Sequence, residues 1–176
     1  MMVITLIGYR GSGKSSVGRQ LAQRLNCSCI DSDDVVEDRA GRSIREIFEQ
    51  DGEAEFRRLE SEVLGQLTSR KNVIIAAGGG AILASKNRDA MKGAGPVVWL
   101  QADVNTLADR IAQDVSTADR RPNLTDQSVT EKIAAVLRER WALYDDAASI
   151  CIETQGRSVE QIVDAICDQL DGEESG

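Results

Sequence analysis

The 176-residue chain has no histidine, and its four cysteines, Cys27, Cys29, Cys151 and Cys167, form no C-x-x-C pair. Zinc sites are built from clusters of those two side chains at short spacing, so none is expected. Reduced thiols suit a cytosolic enzyme, with Cys29 and Cys151 expected as strand residues packed in the core. No apolar run approaches the roughly 20 residues of a membrane span. Positive charge is also short: 21 Lys and Arg against 29 Asp and Glu leave a net charge of −8. That balance argues against binding nucleic acid or an anionic membrane. No Asn-Lys-x-Asp motif occurs, which counts against a guanine-nucleotide switch. The start, Met1 to Ile7, has no basic segment ahead of its apolar part, so it is not expected to be a removable leader. A cytoplasmic location is the expectation. The length suits one domain with a full core and is short for two.

What is present centres on Gly8-Tyr9-Arg10-Gly11-Ser12-Gly13-Lys14-Ser15, directly after the apolar run Val3-Ile4-Thr5-Leu6-Ile7. It fits the phosphate-binding pattern G-x-x-x-x-G-K-[ST] without a mismatch. A strand ends, the glycines let successive N–H groups turn inward, and a helix N-terminus adds its positive dipole. Gly11, Ser12, Gly13, Lys14, Ser15 and Ser16 are therefore candidate nucleotide contacts. Lys14 would reach the β- and γ-phosphates of a nucleoside triphosphate, and the Ser15 hydroxyl would ligate Mg²⁺. Val17, Leu21 and Leu25 follow at i, i+4, i+8, the apolar stripe of the expected helix.

Strand and helix signals then alternate. Cys27 to Asp31, Val73 to Ala77, Val97 to Leu100 and Ser149 to Glu153 read as four further strands. Helices are expected over Asp33–Ala40, from Ser43 to near Asp51, and over Glu53–Ser69, Ser85–Lys92, Asp103–Ala112 and Ser158–Leu170. Another opens at Asp126 or Ser128, with Val129, Ile133, Val136, Leu137 and Leu143 on its apolar side. Ser43 with Glu46, and Ser158 with Gln161, have the spacing of capping boxes. Residues 1–170 read as one domain, with a mobile polar loop at about 113–125 and an acidic tail at 171–176. The fold class is α/β, a parallel sheet covered on both faces, with ligands at the carboxyl ends of the strands. Gly8, Asp31 and Gly78 should then share one rim.

Several side chains near that rim suit phosphoryl transfer. If the chain stays extended through Asp31-Ser32-Asp33, both carboxylates point one way, Asp31 toward the metal and Asp33 toward an acceptor hydroxyl. The same triplet also fits a helix N-cap at Asp33 or Ser32 with a solvated neighbour. Arg57, with Glu53 at i−4 and Glu60 at i+3, fits either a surface ion-pair ladder or an anion site. Gly78-Gly79-Gly80 offers bare N–H groups or a close backbone approach to substrate. Arg120 and Arg121 lie in the polar loop, either solvated or closing over the phosphates. Arg140 could clamp a carboxylate or simply cover its helix.

In their order and spacing these motifs closely resemble the shikimate kinase family. The resemblance covers the phosphate loop, Asp31-Ser32-Asp33, Gly41-Arg42-Ser43-Ile44, Glu55 to Glu60, Gly78-Gly79-Gly80-Ala81, Arg121-Pro122, and Arg140 with Leu143-Tyr144. It implies a P-loop kinase fold of three layers, strand order 2-3-1-4-5, and ATP-dependent phosphorylation of the shikimate 3-hydroxyl. It implies Asp33 as the hydroxyl-binding carboxylate and base, and Arg57, Gly79 and Arg140 as shikimate contacts. Arg121 would be a lid arginine at the phosphates, Arg157 an ATP-side arginine, and Ser15 with Asp31 the metal site. The cofactors implied are ATP and Mg²⁺, and a monomer is expected. Asn123 replaces a family leucine after Arg121-Pro122, the loop before Arg121 is longer, and Trp141-Ala142 replaces a residue-Pro pair; Arg120 could substitute for Arg121. The competing readings are a gluconate- or nucleoside-monophosphate-type kinase of the same fold, and a nucleotide-binding module without turnover.

Overall fold

All five apolar runs form strands in the computed structural model, which describes residues 2–113 and 129–173. They are β1 (Val3–Ile7), β2 (Ser28–Asp31), β3 (Val73–Ala76), β4 (Val97–Gln101) and β5 (Ile150–Glu153). Every neighbouring pair is parallel, in the order β2-β3-β1-β4-β5, as the resemblance implies. Parallel neighbours need long crossovers, and helices supply them. The helices are α1 (Lys14–Leu25), α2 (Ser32–Ala40), α3 (Ile44–Asp51), α4 (Glu53–Thr68), α5 (Ser85–Ala94), α6 (Val104–Gln113), α7 (Val129–Ala147) and α8 (Val159–Glu173).

The two-residue period of the strands divides the core into two layers. Ile4, Leu6, Ile74, Val98, Ile150 and Ile152 pack with Val17 and Leu21 of α1 and Val163 and Ile166 of α8. Val3, Ile7, Ile75 and Trp99 point the other way, onto Val36, Ile47, Phe56, Val63, Met91 and Tyr144 of α2, α3, α4, α5 and α7. Leu107 and Ile111 of α6 close on Ile133 of α7 in a smaller cluster. Among the described residues no helix is long and apolar enough to cross a membrane.

The expected caps form. Ser43 and Glu46 make the reciprocal bonds of a capping box, and these hold the Glu46 carboxyl below its ordinary pKa. The Ser158 N–H donates to Gln161 Oε1 at 2.9 Å, and the Gln161 N–H donates to Ser158 Oγ at 3.2 Å. Asp103 Oδ1 accepts from the Thr106 N–H at 2.7 Å and caps α6. Two expectations are corrected. Cys151 is exposed, not packed in the core, because it lies on the outer face of edge strand β5, where only Ile150 and Ile152 turn inward. At the C-terminus α8 continues to Glu173, so residues 171–173, expected at the start of the tail, are helical.

Thr5 lies in the middle of β1 at 1% exposure, and its hydroxyl has no hydrogen-bond partner among the described residues. An unpaired buried hydroxyl is costly, and valine has nearly the same shape. Thr5→Val is expected to stabilise the fold by about 1 kcal/mol. Thermal unfolding should then show a midpoint about 2–4 °C higher. A lower midpoint would mean that the hydroxyl is solvated or bonded in solution.

Candidate active site

The phosphate loop leaves β1 at Ile7 and enters α1 through Gly13, at φ 93°, ψ 14°. That left-handed conformation directly before a helix favours glycine strongly. Across the turn, Lys14 Nζ donates to the carbonyls of Gly8 at 2.9 Å and Tyr9 at 3.1 Å. The ammonium therefore lies inside the loop's curve, beside buried Ser12. Gly11, Gly13, Lys14, Ser15 and Ser16 line a cavity of about 820 Å³ together with Asp31, Asp33, Asp34, Gly78 and Gly79. The strand ends carrying Gly8, Asp31 and Gly78 do share one rim, as parallel topology requires.

The acid pair is arranged differently from the extended chain expected. Helix α2 starts at Ser32, so Asp31 is the N-cap: its Oδ1 accepts from the Asp33 N–H at 2.9 Å. Its Oδ2 accepts from the Ser15 hydroxyl at 2.9 Å, which joins Asp31 to the end of the phosphate loop. The helical turn carries Asp33 toward β3 instead, where its carboxylate lies against Gly78. A Cβ on Gly78 would come within 2.5 Å of Asp33 Oδ1. Between the two acids, the fully buried Ser32 Oγ accepts from the Gly78 N–H at 3.0 Å. One turn of helix thus gives the two carboxylates different neighbours.

Gly78-Gly79-Gly80 works less as a row of bare N–H groups than as a surface without side chains. Gly78 backs onto Asp33 and Gly80 onto the Arg57 guanidinium, while the Gly79 carbonyl accepts from Arg140 Nη1 at 3.3 Å. Arg57 does form the ion pairs that its spacing suggests, but they are no surface ladder. Nη1 donates at 2.8 Å to Glu60, whose side chain is 1% exposed, and the guanidinium lies over the Phe56 ring at 5.0 Å. The Glu53 pair is looser, at 3.3 Å. The glycine turn therefore brings together Asp33, Arg57 and Arg140 from three different helices. Arg57 and Arg140 are not among the residues lining the cavity.

Other assignments fare differently. Arg157 is exposed in the turn after β5 and does not line the cavity. Arg110, which the sequence did not single out, takes a bridging place: Nη1 donates to the Gly11 carbonyl at 3.4 Å and to Thr154 Oγ1 at 3.0 Å. Its only sequence signal is a basic residue in the last turn of α6, and many helices have one. Tyr144 was also missed, although it is fully buried and its hydroxyl donates to the Gly79 carbonyl at 3.1 Å. Arg120, Arg121 and the 114–125 part of the expected loop lie outside the described residues. Trp141 and Ala142 each keep a backbone N–H to donate, and α7 continues through both without a break. Trp141 meets Trp99 edge-on, with centroids 4.6 Å apart.

Cys29 lines the cavity, but burial pushes its thiol pKa up, and the nearby Asp31 adds to this against the opposing Arg19. It stays a neutral thiol, unsuited to nucleophilic work. Serine hydroxyl and carboxylate are the hard oxygen donors that Mg²⁺ prefers, and Ser15 with Asp31 supplies both. Among the described residues no cluster of three His, Cys, Asp or Glu could hold a metal.

A family model described as Shikimate kinase matches residues 10–171. A shikimate kinase from Rhodopirellula baltica is 44% identical over 158 residues, 90% of this chain and 84% of the relative. One from Symbiobacterium thermophilum is 40% identical over 96% of each chain. Among solved structures, the shikimate kinase from Acinetobacter baumannii in complex with shikimate superposes with a TM-score of 0.91 at 36% identity. It covers 98% of this chain and 94% of its own.

Proposed function

The chain belongs to the shikimate kinase family, and from that premise we propose that it transfers the γ-phosphate of ATP to the 3-hydroxyl of shikimate. The products are shikimate 3-phosphate and ADP, a step in chorismate and aromatic amino acid biosynthesis. The observation that carries this reading is the convergence of Asp33, Arg57 and Arg140 on the glycine turn beside the phosphate loop.

Most of these residues then have a task in keeping with their position, and Arg121 and Arg157 have theirs by resemblance alone. The loop N–H groups from Gly11 to Ser16 and the Lys14 ammonium cradle the β- and γ-phosphates. Ser15, with Asp31 acting through water, would hold Mg²⁺, which supplies neutralising charge at the phosphate oxygens. Arg57 and Arg140 hold the ring carboxylate, and guanidinium forks suit that planar anion. Gly79 lets the ring approach closely. Asp33 accepts the proton of the attacking hydroxyl and aligns it. By resemblance, Arg121 acts at the transferring phosphoryl and Arg157 on the nucleotide side. A monomer remains the proposed state. The four cysteines are all free thiols, which suits a cytoplasmic enzyme.

A coupled ADP-release assay offering shikimate, gluconate and nucleoside monophosphates separately tests the reading. ADP release is expected with shikimate alone. Turnover with gluconate only, or ATP binding without any acceptor-stimulated release, would defeat it.

A further inference from the structure

The Gly79–Gly80 peptide is the middle peptide of a turn closed by the Ala81 N–H on the Gly78 carbonyl at 3.0 Å, and with glycine on each side such a turn can take either orientation of that plane. Yet its carbonyl receives two donors from α7, Arg140 Nη1 at 3.3 Å and Tyr144 Oη at 3.1 Å, enough to occupy both lone pairs. Tyr144 is itself rigidly held. It is fully buried, and its ring stacks on Trp99 at 5.1 Å with 13° between the planes. Its hydroxyl therefore defines a fixed point, whereas the long Arg140 side chain does not.

We propose that Tyr144 is a positioning residue for the acceptor site, locking the Gly79–Gly80 peptide and sharing its carbonyl with Arg140. Two consequences follow for binding. The Gly79–Gly80 peptide is trans, so the Gly80 N–H is set on the side away from Tyr144. The second is that Arg140 spends one N–H on an oxygen already fixed by the hydroxyl, so its remaining donors keep one orientation toward a carboxylate. Without the hydroxyl, the carbonyl and the guanidinium fork could turn together. This inference rests on the reading that Arg140 and the glycine turn receive shikimate.

Tyr144→Phe keeps the ring, the stack and the burial, and removes only the hydroxyl. The expected result is a five- to tenfold rise in KM for shikimate, roughly the size of one net hydrogen bond. KM for ATP should stay unchanged and kcat within about twofold. Amide exchange at the Gly79–Gly80 peptide should also quicken, a readout that needs no turnover. Unchanged KM for shikimate with unchanged exchange would overturn the proposal. So would a parallel loss in kcat, both KM values and thermal midpoint, since that pattern marks a purely structural tyrosine. Failure of the underlying reading looks different: the unsubstituted enzyme would not turn over shikimate at all.

Discussion

Asp33→Asn is expected to lower kcat by about 10²- to 10⁴-fold, the range of a lost general base, while ATP binds as before. Asparagine matches the shape of aspartate, so the close contact with Gly78 survives. What disappears is the ability to take a proton from the acceptor hydroxyl. The phosphate loop is left alone, because it is Asp31, not Asp33, that accepts from Ser15. Titration with a non-hydrolysable ATP analogue should therefore give a Kd within about twofold of the unsubstituted enzyme's, a difference well below the 1.4 kcal/mol that tenfold represents. Asp31→Asn should behave in the opposite way. Its amide oxygen can still cap α2, but the carboxylate oxygen that accepts from Ser15 is gone, so a raised Mg²⁺ requirement is expected. If Asp33→Asn abolishes nucleotide binding and leaves turnover high, the two acids have been given each other's roles.

The division between those acids shows where sequence reasoning stops. Both carboxylates, and their position at a strand tip, were legible from Asp31-Ser32-Asp33. The extended-chain geometry was not, because a residue that can end a strand can equally cap a helix, and here the cap won. The strands were legible too, as short apolar runs rich in β-branched residues, and their alternation with helices gave the parallel sheet. Arg57 is the instructive middle case. Its spacing gave the ion pairs correctly, but local periodicity does not reveal that Glu60 is buried; that follows from α4 packing against the sheet. Arg110 and Tyr144 lie further out of reach. Each matters through a backbone carbonyl distant in sequence, Gly11 and Gly79 respectively, and side-chain patterns do not encode such contacts.

Gly80→Ala is expected to raise KM for shikimate by at least about 100-fold, an effect near 3 kcal/mol. Backbone conformation is not the reason: Gly80 has φ −99° and ψ 2°, which an alanine can adopt. Space is the reason. A Cβ there would overlap Nη1 of Arg57 and come within 2.5 Å of Nη2 and 2.7 Å of Cζ. An unrestrained arginine would step aside at little cost. Arg57 is restrained by the buried Glu60 and by the Phe56 ring, so moving it disturbs an ion pair whose acid is 1% exposed. Disturbing such a pair costs about 2–4 kcal/mol, allowing for the partial exposure of the arginine. Gly79→Ala provides the contrast. Its nearest atoms would be the Arg10 nitrogen at 3.7 Å and the Gly8 carbonyl oxygen at 3.8 Å, which is ordinary contact. That variant should keep its thermal midpoint and only narrow the space in front of the phosphate loop. Steady-state kinetics with each substrate varied, alongside thermal unfolding of both variants, separates the two cases. A Gly80→Ala enzyme whose KM for shikimate stays within twofold of normal would show that Arg57 does not need its present position, and that its guanidinium does not grip the acceptor.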